Sequence, residues 1–254
     1  MTKGNSLEGR VAIVTGSARN IGRATALELA REGAAVVVNT RSSIDQAAAV
    51  VKEIEQMGGR AVLKPADVLD PEAVKSLIAA AIESFGRLDI LINNAAVRPE
   101  RAFADMSYAE WREVLGIVLD GAFLCAQAAL PHLIESGQGT IINFGGLTAH
   151  TGAAKRAHVI TAKTGIIGLT RALAHDLAAH GITVNCVVPG MIDTTRLPSS
   201  TEGSAPAHHA QRVALVGLRG TPQEIADLVR FLCGPEARYI TGQTIHANGG
   251  LIMP

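Results

Sequence analysis

Apolar positions along this 254-residue chain gather into seven short runs: "RVAIVT" (10–15), "AAVVVN" (34–39), "RAVLKP" (60–65), "LDILIN" (88–93), "GTIINF" (139–144), "ITVNCVV" (182–188) and "QTIHAN" (243–248). Helix-length segments such as "NIGRATALELAREG", "DQAAAVVKEIEQMG" and "PEAVKSLIAAAIESFG" stand between them. Strand and helix alternating in this rhythm predict an α/β protein whose parallel sheet carries helices on both faces.

The punctuation agrees with the rhythm. Gly33, Gly58-Gly59 and Gly86 each follow a helical stretch, where a left-handed residue ends a helix, and Asp70-Pro71 supplies an N-cap followed by a proline at the first helical position. No repeat or low-complexity linker interrupts the chain, so residues 1–254 are read as a single domain. The least regular stretch, 194–220, is rich in Ser, Pro and Gly and follows a strand; it is expected to form a mobile lid over a site.

Composition narrows the function. Apolar residues make up 48% and charged residues 18%, a globular balance. Lys plus Arg equals Asp plus Glu at 23 each, which removes any general electrostatic reason to bind nucleic acid or an anionic membrane. A small-molecule ligand is the expected partner. Cys125, Cys186 and Cys233 lie far apart in apolar runs with no metal or disulfide spacing, and His208-His209 has no partner at metal-ligand spacing, so metal chemistry is not expected. The first ten residues lack the apolar core of a signal peptide, and a reducing cytoplasm is the expected home.

The candidate chemistry begins after the first strand, at "TGSARNIG" (15–22), which leads into a helix. Glycines there let the backbone turn tightly and approach a pyrophosphate, whose charge is met by the free amides and positive dipole end of the helix. Further signals follow at "ADV" (66–68), "NNAA" (93–96), "AKTGIIGLTRALAHDLAAHGITVNCVVPGMIDT" (162–194) and "YITGQTIHANGG" (239–250). Together these motifs resemble the short-chain dehydrogenase/reductase family over almost the whole chain, and within it the 3-oxoacyl-carrier-protein reductases. The resemblance implies a doubly wound Rossmann fold with a seven-stranded parallel sheet.

It also implies a nicotinamide dinucleotide site. Gly16, Ser17, Arg19, Asn20, Ile21 and Gly22 would line the phosphates, Asn20 standing where the family has its middle glycine. Asn tolerates the unusual backbone angles that such a position demands. Asp67 and Val68 would lie at the adenine, Asn93 and Ala95 beside the ribose, and Pro189, Gly190, Ile192 and Thr194 at the nicotinamide carboxamide. The second strand ends in Thr40-Arg41 rather than an acidic residue; nothing there repels a 2′-phosphate, and Arg41 with Arg19 would clamp it. NADP(H) is expected over NAD(H).

At the reaction end the resemblance implies a lysine, a tyrosine four residues before it, a serine and an asparagine. Lys163 matches the lysine, but Val159, Gly146 and Val118 occupy the other three positions. These small residues are expected to leave a roomier, more apolar cavity. His150 is the candidate replacement acid, while adjacent His158 is turned about 100° around the helix from the tyrosine position. Three activities fit: a divergent oxidoreductase acting on a small carbonyl or alcohol, a non-catalytic nucleotide-binding protein with a regulatory or assembly role, and a lyase or isomerase using the remodelled pocket. The resemblance further implies a homotetramer, with helices 107–134 and 153–179 pairing across one interface and the C-terminal residues contributing to another.

Overall fold

The computed structural model describes residues 6–194, 213–217 and 219–253. Seven strands form one all-parallel sheet: β1 (Val11–Val14), β2 (Ala35–Thr40), β3 (Ala61–Pro65), β4 (Ile90–Asn93), β5 (Thr140–Phe144), β6 (Thr183–Pro189) and β7 (Thr244–Ala247). Their order across the sheet is β3-β2-β1-β4-β5-β6-β7. Every predicted strand is present. The reversal of order between β1 and β4 opens a crevice at the strand C-termini, the usual ligand position in such sheets.

Eight α-helices are described: α1 (Asn20–Arg31), α2 (Ile44–Gln56), α3 (Pro71–Phe85), α4 (Tyr108–Leu115), α5 (Gly121–Glu135), α6 (Thr148–Thr151), α7 (Ala157–Leu177) and α8 (Pro222–Cys233). Because strand side chains alternate, Ala12 and Val14 meet Leu27 and Leu29 of α1, Val50 of α2 and Val229 of α8 on one face. Val11 and Ile13 meet Leu77 of α3, Leu133 of α5 and Leu177 of α7 on the other. Strands covered on both sides have no polar face to show, which is why β1 and β2 are buried throughout.

The predicted stops hold, with one refinement. Gly33, Gly58 and Gly86 take φ of +95°, +81° and +81°, while Gly59 keeps an ordinary backbone. Asp70 caps α3, its Oδ1 accepting from the amides of Glu72 and Ala73. α4 runs into α5 through a π-helical turn at Gly116–Asp120. The combined helix Tyr108–Glu135 is long and apolar enough, by length and composition, to cross a membrane, yet half of its most apolar stretch is buried against the sheet. Where this turn passes α7, a Cβ on Gly165 would stand 3.0 Å from Leu119, so the glycine sets how closely the two approach.

Candidate active site

The turn after β1 is fixed from three directions. Gly16 sits at φ +62° and its amide donates to Asn39 Oδ1 (3.2 Å), while Ser17 Oγ donates to the Val14 carbonyl at 2.7 Å. Asn94 Nδ2 donates to the carbonyls of Thr15 and Gly16, both at 2.9 Å. Thr15 Oγ1 accepts in return from the amides of Asn94 and Ala95, at 3.0 Å each. A Cβ on Gly22 would come within 2.5 Å of Asn94 Nδ2 and of the Gly16 carbonyl, so only glycine fits. Asn20 opens α1 at φ +53°, the left-handed conformation that Asn tolerates. Arg19 stands at the N-cap with no side-chain cap bond and no acidic residue in the first turn, so no carboxylate of that turn opposes an anion at the positive end of the helix.

At the end of β2, Thr40 Oγ1 accepts from the Ser43 amide (3.1 Å) and shapes the turn that presents Arg41. The arginine does not stand free: its Nη1 lies 3.8 Å from Asp67 Oδ2. Both side chains are substantially exposed, so this contact is weak and open to exchange. Val68 is buried and packs where Gly121 leaves room; a Cβ there would be 2.7 Å from its Cγ2. Asn93 Nδ2 donates to Asn143 Oδ1 (2.9 Å), and Asn143 Nδ2 donates to Thr170 Oγ1 (3.0 Å), tying β4 and β5 to α7. Asn93 Oδ1 is buried and has no partner among the described residues, while Ala95 is half-buried.

Across the crevice, Pro189 ends β6 and the Gly190 amide donates to the Ala247 carbonyl (2.9 Å). A Cβ on Gly190 would lie 2.6 Å from Asn248 Cα. Ile192 bridges Gly220, and Arg219 pairs with Asp193 at 3.4 Å. Thr194 is half-buried. Most of the predicted lid, 195–212 and 218, lies outside the described residues; the Val216 amide donates to the Gly249 carbonyl (3.3 Å), joining the end of that segment to the C-terminal residues.

The reaction end differs in character. Lys163 is 6% exposed, and its Nζ donates to the Phe144 carbonyl at 2.6 Å. Burial pulls its pKa down to about 8, reinforced by Arg98 and opposed by Cys186. Gly146 faces its stem: a Cβ there would meet Lys163 Cγ at 3.5 Å, ordinary contact. Val118 and Val159 are each 3% exposed and share one apolar cluster with Val114, Ala162, Ile166 and Cys186. The valines are packed side chains, and the small cavity of about 10 Å³ that Val118 borders opens toward Thr15, Asn93 and Ala95 rather than toward Lys163.

The histidines do not join Lys163. His150 is turned toward the sheet edge, its ring set edge-on against His246 of β7 at 4.5 Å. Its pKa is lowered by burial and by Arg171, a residue two turns, about 12 Å, further along α7 than Lys163. His158 is fully buried, and the Arg156 backbone is the polar group that favours its charged form. Its charged neighbours are Arg156, Glu110 and Arg101, and burial is the main cause of its lowered pKa. Among the described residues no cluster of His, Cys, Asp or Glu is arranged to hold a metal ion.

The Asn39, Asn94 and Thr15 clamp and the Asn143–Thr170 pair escaped the sequence reading. A polar residue inside each of the runs "VVVNT" and "TIINF" was the available signal.

This geometry has close counterparts. A family model described as enoyl-(acyl carrier protein) reductase matches residues 16–252. The 3-oxoacyl-[acyl-carrier-protein] reductase FabG of Staphylococcus aureus is 39% identical over 244 residues, 95% of this chain and 98% of the relative. The chain belongs to the short-chain dehydrogenase/reductase family. Another relative within the short-chain dehydrogenase/reductases, the short-chain reductase protein NovJ of Streptomyces niveus, is 41% identical over 94% of this chain and 93% of its own length. A short-chain dehydrogenase from Burkholderia cenocepacia, solved in complex with NADP, superposes with a TM-score of 0.90 at 36% identity, covering 97% of this chain and 99% of that one. A dehydrogenase/reductase from Sinorhizobium meliloti gives 0.91 at 38% identity over 99% and 98%.

Proposed function

We propose that the protein is an NADP(H)-dependent oxidoreductase acting on a small carbonyl or alcohol. The observation that carries this reading is the Thr15–Gly22 turn, where no Cβ fits at Gly22 and Asn20 holds the left-handed angle. The unpartnered Asn93 Oδ1 offers an acceptor in the same groove. Gly16, Ser17, Ile21 and Gly22 would hold the pyrophosphate, and Asp67 and Val68 the adenine side. Asn93, Ala95 and Lys163 would meet the ribose, and Pro189, Gly190, Ile192 and Thr194 the carboxamide. Arg41, released from Asp67, would join Arg19 at a 2′-phosphate; the B. cenocepacia relative holding NADP supports that choice. When bound, the cofactor supplies or accepts a hydride.

The chain's own task is then proton handling. Val159, Val118 and Gly146, at the positions where the family resemblance implies tyrosine, asparagine and serine, have no side-chain proton to exchange. Lys163, held at about 8, titrates close enough to neutrality to exchange a proton with a substrate oxygen. His150, the other candidate acid, stacks edge-on with His246 at 4.5 Å, and its lowered pKa favours the neutral imidazole.

The test is titration with NADPH and NADH by nicotinamide fluorescence, with stoichiometry from calorimetry. One NADPH per chain, bound at least tenfold more tightly than NADH, is expected, with R41Q erasing the preference. Binding of neither overturns the reading. We further propose a homotetramer: α5 presents Phe123 (47% exposed) and Ile134 (37%), and a groove of about 440 Å³ runs between α3 and α5. Sedimentation of wild type against F123E checks it. Three buried free thiols fit a reducing cytoplasm.

A further inference from the structure

We propose that Lys163 is a nucleophilic amine that captures a small aldehyde or ketone as a Schiff base. This goes beyond hydride transfer, because the lysine would react covalently with substrate rather than only bind and protonate it. The physical requirement for such a lysine is a neutral amine at working pH, obtained by desolvation in an apolar pocket or by a neighbouring cation.

Both are present. The side chain is 6% exposed, and on its own helix Val159, Ala162 and Ile166 belong to one apolar cluster with Cys186, which acts on the amine. Among the described residues no carboxylate lies within ion-pairing distance of its Nζ; the one hydrogen bond goes to a neutral carbonyl, that of Phe144. The charged and titratable groups acting on the amine are Arg98, from the segment after β4, and Cys186, on β6. Arg98 disfavours the ammonium, and the Cys186 thiol, pushed up by burial to about 11, is neutral at pH 8. The result is an amine held at about 8.

Two neighbouring positions bear on the lysine's reactivity. Gly146 places no side chain against it, and a methyl group would fit there at 3.5 Å from Lys163 Cγ. Val159, one turn before the lysine, offers no hydroxyl to compete for the amine or to bind the carbonyl oxygen. In the step proposed, the Nζ lone pair forms a bond to the carbonyl carbon as the C=O π pair moves onto oxygen, and the nitrogen gives up one proton while the oxygen takes one up, giving a neutral carbinolamine. The C–O bond then breaks, water leaves with one proton from solvent, and a protonated C=N linkage remains. No electrons are exchanged with an external reagent. The iminium would withdraw electrons from the adjacent carbon, which suits α-proton removal or cleavage of a neighbouring carbon–carbon bond.

The test uses acetone as the carbonyl probe and sodium borohydride as the trap, on the full-length protein without nucleotide, with the isopropyl adduct located by peptide mass mapping. At pH 7.5 the adduct is expected mainly on Lys163, over the exposed Lys52, Lys75 and Lys155. Its formation rate should rise with a midpoint near 8, against the ordinary range near 10.4 for exposed lysines. K163R should lose this adduct while keeping the wild-type circular dichroism spectrum. An adduct spread over the exposed lysines with Lys163 unmodified overturns the proposal, and so does a Lys163 midpoint at the ordinary lysine value. Both of these are read on wild-type protein.

Discussion

The two ends of the crevice are built on opposite principles. At the nucleotide end, backbone position is everything: Thr15, Asn39 and Asn94 spend their polar atoms on fixing the loop, and Gly22 and Gly190 have no space for a methyl group. At the reaction end, Val118 and Val159 are packed as core residues, and Lys163 bonds a neutral carbonyl, with no carboxylate partner among the described residues. The first arrangement is specified by sterics and hydrogen bonds and tolerates little. The second is specified by volume and dielectric, and its chemistry is concentrated in a single amine.

The sharpest way to break this contrast is Gly22→Ala. The added carbon would clash with a backbone carbonyl and with Asn94, so NADPH affinity should fall by at least 100-fold, with about 1–3 kcal/mol lost from stability as for other overpacked sites. Fluorescence titration and urea unfolding measure both.

A paired comparison comes next. Asn94→Ala removes two hydrogen bonds from the loop and leaves two carbonyls unmet, which should cost about 1–3 kcal/mol and weaken NADPH binding roughly tenfold. Val159→Ala should cost about 2 kcal/mol through the cavity it leaves, with no change in NADPH affinity. If both variants shift affinity equally, the two ends are not separate.

Lys163 gives the third, through pH. Its folded pKa of about 8 lies below the unfolded value near 10.4, so the unfolded chain binds more protons between these limits and stability should rise with pH across them. The buried thiols act the other way. Cys186 is raised to about 11, and Cys125 and Cys233 to about 12, so each opposes stability as pH climbs above about 8.5. The difference in urea midpoint between wild type and K163M isolates the lysine. K163M should be the more stable at pH 7, and its advantage should shrink between pH 8 and 10.

The smallest effect concerns Lys155, held at φ +60° just before α7. Lys155→Gly should stabilise the protein by about 0.5–1 kcal/mol, since a side chain pays for that conformation and glycine does not. A melting temperature that falls would show that the lysine side chain contributes a contact outweighing the strain.

Legibility in the sequence followed the range of the forces involved. All seven strands, the Asp70 cap and the left-handed glycines rest on local pattern and were readable; so was Asn20, because its unusual angle follows from its place in the glycine loop. The Asn93–Asn143–Thr170 chain was not, since it joins residues 50 and 27 positions apart. Arg41 was read as a free phosphate clamp because its partner Asp67 arrives from another strand's end. Residue type alone did not reveal that Val118 and Val159 are buried in one cluster; that depends on how helices close over the sheet.

The join between residues 214–216 and the C-terminal residues has a practical consequence. Gly249 is wedged so closely that a Cβ would lie 2.9 Å from Ala214 and Val216, and its carbonyl receives the Val216 amide. A purification tag fused after Pro254 would therefore bear on residues 214–216, and binding constants measured on such a fusion would describe the tag as well as the protein.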